Sequence, residues 1–236
     1  MSFSYPPTMS TSPLADFSTC ELSDALLKLQ VLSGGLIPSI HMLSPSPYSE
    51  KGESTRLCGP AFPICMVLSS DTTAPSLGGG AHFVDLITEG HVVFIDAPLE
   101  AKNAVWGGLM TAGAQARSAP GVIVSGLVRD TLEHRAANFP VFARGTSTVG
   151  QKPYTRVAEV GAPVTVRSGD DGFPDVTVRP GDWLVADVDG VVCVPKELVE
   201  EVGKLAAKGR EVDAKCEVDI KKGLGVGASF KKHRGK

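Results

Sequence analysis

The sequence predicts an α/β protein, a compact single domain in which a mixed, partly closed β-sheet is flanked by helices. The chain has 236 residues, of which 42% are hydrophobic, enough to bury one large core. Apolar strand-like runs alternate with helical segments in the first part of the chain, as in β/α units. From Gly161 the apolar runs are short and separated by turns, as in β-hairpins, so a regular doubly wound sheet is not expected.

The predicted domain spans residues 17–222. Residues 1–16, rich in Ser, Thr and Pro, are predicted to form a flexible N-terminal segment, and residues 223–236 a flexible basic tail. A net charge of −3 and a pI near 6.0 argue against a nucleic-acid partner. No apolar run reaches the roughly 18 residues of a membrane span, and no signal-peptide core is present, so no membrane partner is expected. Five widely spaced cysteines without a CxxC pattern are typical of reduced thiols, which predicts a cytoplasmic location.

The elements follow from local patterns. A capping box at Ser18–Glu21 begins an amphipathic helix over residues 17–32, which a Gly-Gly pair is expected to end. Strands are predicted at 61–68, 91–96, 122–128, 140–143, 164–166, 176–178, 183–186 and 191–194. Further helices are predicted at 83–88, 108–116, 131–137 and 195–222. Turns at 179–182 and 187–190 predict hairpins between the last three strands. Pro63 favours an edge position or a strand start for the strand that contains it.

The strongest candidate site lies where the apolar strand 122–128 ends. Arg129 and Asp130 follow that strand directly, and Glu133 comes one helical turn later. A cation and two carboxylates are costly to place at the end of a buried strand without a purpose. In α/β sheets this carboxyl edge is where ligands bind. The helix start at Gly108, earlier in the chain, offers free backbone N–H groups.

These residues suggest a metal and a carboxylate site. Asp130 and Glu133 are spaced i,i+3, so both carboxylates can face one point, and carboxylate oxygens completed by water suit Mg²⁺ or Mn²⁺. The alternative is a surface Arg–Asp pair that caps a helix, with Glu133 in solvent. The amides at Gly108, Leu109 and Met110 can bind a substrate carboxylate. The alternative there is a tight turn in which no side chain fits.

Other motifs give weaker signals. The loop 145–152 nearly matches a phosphate-binding loop, but Gln151 stands where the motif needs lysine, which favours an active-site loop with hydroxyls and a cation. The five histidines form no HxxxH or HxH pair, which argues against a histidine-based zinc site. Lys102 and Lys152 lie outside apolar strands, so neither is a strong candidate for a Schiff base.

The spacing Gly108-x20-Arg129-Asp130-x2-Glu133 resembles the signature of the pyruvate-aldolase family that includes 4-hydroxy-4-methyl-2-oxoglutarate aldolase. The same superfamily contains the regulator of ribonuclease E activity. The resemblance covers roughly residues 17–202, with further similar segments at 23–26, 59–61, 143–147, 179–182 and 187–192. Bacterial aldolases of this family usually carry Asp where this chain has Gly108. The glycine form with an added acid at R-D-x2-E resembles the fungal branch.

The resemblance implies a swivelling β/β/α fold and a divalent-metal lyase acting on a small 2-oxo acid. Asp130 would ligate Mg²⁺ or Mn²⁺ directly, and Glu133 would hold a metal-bound water in place of the missing carboxylate. Arg129 would bind the 2-oxo oxygen and stabilise the developing enolate, while the N–H groups of Leu109 and Met110 would hold the pyruvyl carboxylate. Cleavage of a 4-hydroxy-2-oxo acid and decarboxylation of oxaloacetate pass through the same pyruvate enolate.

The resemblance also implies a homotrimer or hexamer with sites between subunits. A missing acid or base could then come from a neighbour, for which the region 197–201 is a candidate. Two alternatives remain open at this point. One is a non-catalytic regulator that binds a protein partner. The other is a specialised-pathway enzyme acting on a related 2-oxo or β-keto acid, with Trp106 and the loop 44–54 either shaping its pocket or serving as ordinary packing and surface.

Overall fold

The computed structural model describes residues 12–78, 80–169 and 172–235. Its strands are β1 His41–Ser44, β2 Leu57–Leu68, β3 Val92–Asp96, β4 Ala104–Trp106, β5 Val122–Val128, β6 Val141–Thr146, β7 Thr155–Val160, β8 Val164–Val166, β9 Val176–Val178, β10 Trp183–Asp187 and β11 Gly190–Val194. Its α-helices are α1 Thr19–Lys28, α2 Glu50–Ser54, α3 Gly108–Ala116, α4 Thr131–Ala136, α5 Val199–Lys221 and α6 Val226–Arg234. Short 3₁₀ turns cover Phe83–Leu86 and Lys196–Leu198.

The large sheet is mixed, as predicted. Its order is β1-β6-β5-β3-β2-β10-β11, with β4 added to β5 and β7 to β2. Strands β2, β3, β5 and β6 are parallel, whereas β1, β7, β10 and β11 pair antiparallel with their neighbours. The twelve-residue β2 joins β10 through its first half and β7 through its second half, which curves the sheet into a partly closed form. The carboxyl ends of β3, β5 and β6 therefore meet at one edge.

Three apolar layers hold the sheet. On one face the buried side chains pack beneath α3 and the 3₁₀ turn Phe83–Leu86. The other face is covered by the small antiparallel sheet of β8 and β9, whose valines belong to the same buried apolar cluster as Phe94 and Phe142. The third layer lies between the β10–β11 hairpin and helices α1 and α5. Each layer excludes water from one side of a strand, which makes the central strands continuous apolar runs.

Helix α1 begins as predicted but ends earlier. The Ser18 hydroxyl accepts the N–H of Glu21, and the Glu21 carboxylate accepts the N–H of Ser18, so the capping box is present. The prediction that the helix ends at the Gly-Gly pair is wrong. Gln30 adopts a left-handed conformation with φ 63°, and the N–H of Val31 donates to the carbonyl of Leu26, which is a Schellman ending.

The prediction of a hairpin between β9 and β10 is also wrong. After β9 the N–H of Gly181 donates to the carbonyl of Ala61, and the buried carboxylate of Asp182 accepts the N–H groups of Arg179 and Lys196. These bonds turn the chain away from β9 and onto β2. The second predicted hairpin, between β10 and β11, is confirmed.

Pro63 lies inside β2 and not at its start. On one side it pairs with β3, but on the other side the ladder to β10 stops at Pro60 and the ladder to β7 starts at Ile64. Pro63 therefore falls in a gap between two partner strands. A residue without an N–H donor is tolerated there because that side is locally an edge.

The predictions for the two ends have different outcomes. Residues 1–11 of the predicted flexible segment lie outside the described residues, but Leu14 is fully buried in the third apolar layer. The predicted flexible tail 223–236 instead contains helix α6, which packs on α5. Lys232 and His233 both contact the carboxylate of Asp219 at 2.7 Å, so the basic residues are paired with acids of α5. In the described part of the chain, no helix combines the length and apolar character needed to cross a bilayer.

Candidate functional site

The candidate site is built around Asp130, the second residue after the end of β5. Asp130 has φ 62° and ψ 39°, a left-handed conformation that Asp tolerates better than most residues. It precedes α4, yet its side chain makes no capping hydrogen bond to that helix. Its carboxylate instead accepts the N–H of Gly108 at 3.0 Å. The unusual backbone conformation therefore directs the carboxylate across to the first turn of α3.

The Gly107-Gly108 pair leaves room for two carboxylates. A Cβ on Gly107 would lie 2.7 Å from Oδ2 of Asp130, and a Cβ on Gly108 would lie 1.7 Å from Oε2 of Glu133. A side chain fits at either position only if the acidic group beside it moves away, because the acidic groups fill the space. The structure thus brings Asp130 and Glu133 together against the start of α3. Glu133 takes the space into which a side chain at position 108 would extend.

Arg129 lies at the same point. Its Nε is 3.6 Å from Oδ2 of Asp130, and its side chain is about half exposed. The loop after β6 approaches it closely, since a Cβ on Gly150 would lie 2.9 Å from Nη1 of Arg129. Gln151 of this loop also lines the cleft beside Asp130. The guanidinium is therefore held between a carboxylate and a loop, with one side open to a ligand.

The start of α3 matches the predicted amide site only in part. The N–H of Met110 already donates to the carbonyl of Gly107 at 3.0 Å, and the N–H of Gly108 is taken by Asp130. Among the described residues, no acceptor is bonded to the N–H of Leu109. Leu109 therefore offers the amide best placed to receive an external carboxylate, and Met110 contributes only by sharing its hydrogen. The cleft beside these groups has a volume of about 140 Å³, a size for a small molecule.

Sequence reasoning missed a buried chain of three polar side chains beneath this cleft. The indole Nε1–H of Trp106 donates to Oγ1 of Thr111 at 2.9 Å, and that hydroxyl lies 2.9 Å from Nδ1 of His134. All three side chains are at most 1% exposed, and burial lowers the pKa of His134. Trp106 belongs to the core layer and also lines the cleft, so it packs in the core and forms part of the cleft wall. The periodicity of a six-residue helix gave no signal for His134.

Other predicted candidates lie elsewhere. The loop 44–54 does not line the cleft. Lys102 lines a separate, larger cleft of about 520 Å³ together with Glu100, Asn103 and Tyr154. We place the candidate chemistry at the smaller cleft, because Arg129 and Asp130 line it and Glu133 lies against Gly108 in its wall.

The donor set fits a magnesium-like ion better than zinc. Among the described residues, no group of three or more His, Cys, Asp or Glu side chains is placed to hold a metal ion. A closed zinc site needs four such ligands. Magnesium keeps several waters and binds through one or two carboxylates plus the substrate. Asp130, whose carboxylate is not used to cap α4, and Glu133 beside it supply such a pair.

Comparison with known proteins identifies the family. The family model described as RraA-like, Aldolase/RraA, matches residues 19–193, which include the whole site described above. The chain belongs to the Aldolase/RraA family. The match extends from α1 to β11 and leaves α5 and α6 outside it.

Several relatives of the chain carry names that indicate aldolase activity. A protein of Albidiferax ferrireducens named "Putative 4-hydroxy-4-methyl-2-oxoglutarate aldolase" is 28% identical over 184 residues, covering 78% of this chain and 98% of that protein. A protein of the same name from Halalkalibacterium halodurans is 34% identical over 124 residues, covering 52% and 55%. Protein DlpA of Legionella pneumophila is 30% identical over 189 residues, covering 80% of this chain but 28% of its own length. The matches thus span about a quarter to just over half of the length of these last two relatives.

Solved structures share the Aldolase/RraA fold. An uncharacterized protein from Pseudomonas syringae superposes with a TM-score of 0.72 at 26% identity, covering 92% of this chain and 94% of that one. Streptomyces coelicolor RraAS2, described as an unusual member of the RNase ES inhibitor RraA protein family, superposes with a TM-score of 0.71 at 19% identity, covering 86% and 93%. At that identity the second likeness establishes the fold alone.

Proposed function

We propose that the protein is a divalent-metal-dependent lyase that cleaves 4-hydroxy-2-oxo acids to pyruvate, decarboxylates oxaloacetate, or does both, through a pyruvate enolate. The observation that carries the proposal is the meeting of Asp130, Glu133 and Arg129 at the first turn of α3. Membership of the Aldolase/RraA family and the names of the relatives support the same chemistry.

Each group has a role that follows from its position. The N–H of Leu109, at the positive end of the α3 dipole, binds the carboxylate of the 2-oxo acid. Arg129 donates to the 2-oxo oxygen and stabilises the negative charge that develops there during C–C cleavage. Asp130 and Glu133 would hold Mg²⁺ or Mn²⁺, Asp130 directly and Glu133 through water. The bound ion would supply Lewis-acid stabilisation of the same oxygen.

A second subunit is part of the proposal. Leu109 and Leu132 flank the site and are 82% and 76% exposed, although both are large apolar side chains. Exposed apolar side chains around a polar site are typical of a surface that another chain covers. We therefore propose a homotrimer or hexamer in which a neighbour completes the cleft. That neighbour would supply the base that accepts the 4-hydroxyl proton.

The test is pyruvate release from oxaloacetate and from 4-hydroxy-4-methyl-2-oxoglutarate, measured with Mg²⁺, with Mn²⁺ and with EDTA. Asp130→Asn keeps a residue type that tolerates the left-handed conformation but removes the charge, so we expect a folded protein whose kcat/KM falls at least about 100-fold. Asp213→Asn is the matched control, because Asp213 forms a surface pair with Arg234 far from the cleft. Turnover that persists in EDTA, or an Asp130→Asn variant as active as Asp213→Asn, would contradict the proposal.

A further inference from the structure

Helices α3 and α4, which carry the two halves of the candidate site, are joined by three side-chain hydrogen bonds at helical spacing. The bonds are Gly108 N–H to Asp130 Oδ2 at 3.0 Å, Thr111 Oγ1 with His134 Nδ1 at 2.9 Å, and Gln115 Nε2–H to the Ala137 carbonyl at 2.9 Å. We call this set the α3–α4 ladder. It runs from the cleft, through the buried interior, to the far end of both helices.

The middle bond of the ladder anchors α4. His134 is the one buried side chain in the six residues of α4, whereas Glu133 before it and Arg135 after it are exposed. A helix of six residues has little stability of its own, so its position depends on tertiary contacts. The placement of Glu133, the residue before His134, therefore depends on where the imidazole is held.

The Thr111 hydroxyl links two buried side chains. The indole N–H of Trp106 can only donate, so the Thr111 hydroxyl accepts it. The same hydroxyl keeps its own hydrogen and a second lone pair, and it lies 2.9 Å from Nδ1 of His134, so the two groups are bonded whichever ring nitrogen carries the hydrogen. The chain from Trp106 through Thr111 therefore holds His134 in either tautomer.

We propose that His134 is a positioning residue that, through Thr111, sets the separation between the amide groups of α3 and the carboxylates of Asp130 and Glu133. This inference rests on the proposed function for its catalytic consequence. The hydrogen bond keeps α4 in register with α3, so the carboxylates meet the first turn of α3. A displacement of about 1 Å at such a site is enough to cost on the order of 100-fold in rate.

The main variant is His134→Leu, which places an apolar side chain in the core but removes both ring nitrogens. Because it leaves the buried hydroxyl of Thr111 with one of its two partners, we expect a folded protein with a lower Tm. His134→Asn is the conservative variant, since its amide group can take the place of Nδ1 and either accept from Thr111 or donate to it. Gln115→Met is the matched control, because it removes the ladder bond farthest from the cleft.

Three measurements are made on each full-length variant: amide hydrogen exchange at residues 108–111 without metal, the Kd for Mn²⁺, and kcat and KM for pyruvate release. In His134→Leu we expect exchange to be faster by about tenfold or more, Mn²⁺ to bind about 10- to 100-fold more weakly, and kcat to fall more than KM rises. His134→Asn is expected to recover most of each loss. Gln115→Met is expected to leave all three readouts within about twofold of the wild type.

Equal changes in His134→Leu and Gln115→Met would overturn the inference, because the histidine would then act only as packing. No recovery in His134→Asn would also overturn it. If the wild-type protein neither binds Mn²⁺ nor releases pyruvate, the proposed function fails on its own. Amide exchange at residues 108–111 then decides the positioning role, since that readout needs neither metal nor substrate.

Discussion

Substitution of Gly108 tests how the two acidic groups share the site. A Cβ at this position would lie 1.7 Å from Oε2 and 2.7 Å from Cδ of Glu133, whereas ordinary contact begins at 3.4 Å. In Gly108→Ala the carboxylate must therefore retreat by roughly 1.7 Å. The two nearest atoms belong to the end of a flexible side chain, so the Glu133 carboxylate can rotate into solvent. The third atom, Cβ of Glu133 at 3.2 Å, needs a shift of only a few tenths of an ångström, so the fold is kept. We expect the Kd for Mn²⁺ to rise about 10- to 100-fold, as for the loss of a group that orients a metal-bound water.

The stability of the fold is expected to rise in Gly108→Ala, although the affinity for Mn²⁺ falls. Gly108 is the first residue of α3 and its φ is not positive, so alanine is compatible with the helix. Replacing glycine by alanine in a helix contributes up to about 1 kcal/mol, which corresponds to about 2–4 °C in Tm for a chain of this size. Gly209→Ala in α5 is the control, since a Cβ there meets Nζ of Lys28 at 3.6 Å, an ordinary contact. Differential scanning calorimetry measures both variants.

A double-mutant cycle with Glu133→Ala decides whether the effect passes through Glu133. If it does, Gly108→Ala adds nothing to the Mn²⁺ affinity once Glu133 is gone. The double variant Gly108→Asp with Glu133→Ala moves the carboxylate to position 108, where the bacterial aldolases that this chain resembles usually carry Asp. We expect it to bind Mn²⁺ more tightly than Glu133→Ala alone. Additive losses in the cycle, measured by isothermal titration of Mn²⁺, would refute the shared-space argument.

Three further predictions concern the scaffold. Burial raises the pKa of Asp96 from 3.8 to about 6, so ionisation of this carboxyl destabilises the folded state increasingly as the pH rises through this range. Asp96→Asn should therefore be more stable than the wild type by up to about 3 kcal/mol at pH 7.5 and equal to it below pH 4. Urea denaturation at the two pH values measures the difference. The buried carboxylate of Asp187 accepts the N–H of Thr19 at 2.9 Å and its hydroxyl at 2.7 Å. Asp187→Ala should therefore lower the free energy of unfolding, measured by urea denaturation, by about 2–3 kcal/mol, and a loss below about 1 kcal/mol would contradict this. Asp219→Ala should speed amide exchange across Val226–Arg234, because it removes the ion pairs with Lys232 and His233. The Tm of the domain should stay within about 2 °C of the wild-type value, because these ion pairs are near the surface. Unchanged exchange would show that α6 is held by other contacts.

Much of the architecture was predictable because it depends on local pattern. The strand Val122–Val128 and the helix Gly108–Ala116 have the predicted bounds, since apolar runs and small helix-compatible residues carry their own signals. Strands β1, β4 and β7 were missed. Each is defined by a partner far along the chain, such as Met66 with Val157, and contains too few apolar residues to stand out.

The candidate site was also predictable only in part. The sequence by itself determined that Arg129, Asp130 and Glu133 follow a buried strand, because residue order and i,i+3 spacing are local properties. Only the tertiary structure decided that Glu133 lies against Gly108, that the N–H of Met110 is already used, and that His134 is buried against α3. These facts depend on how α3 and α4 pack, which involves contacts between residues more than twenty positions apart. Local periodicity carries no information about such contacts, so the chemistry of the residues was predictable and their mutual geometry was not.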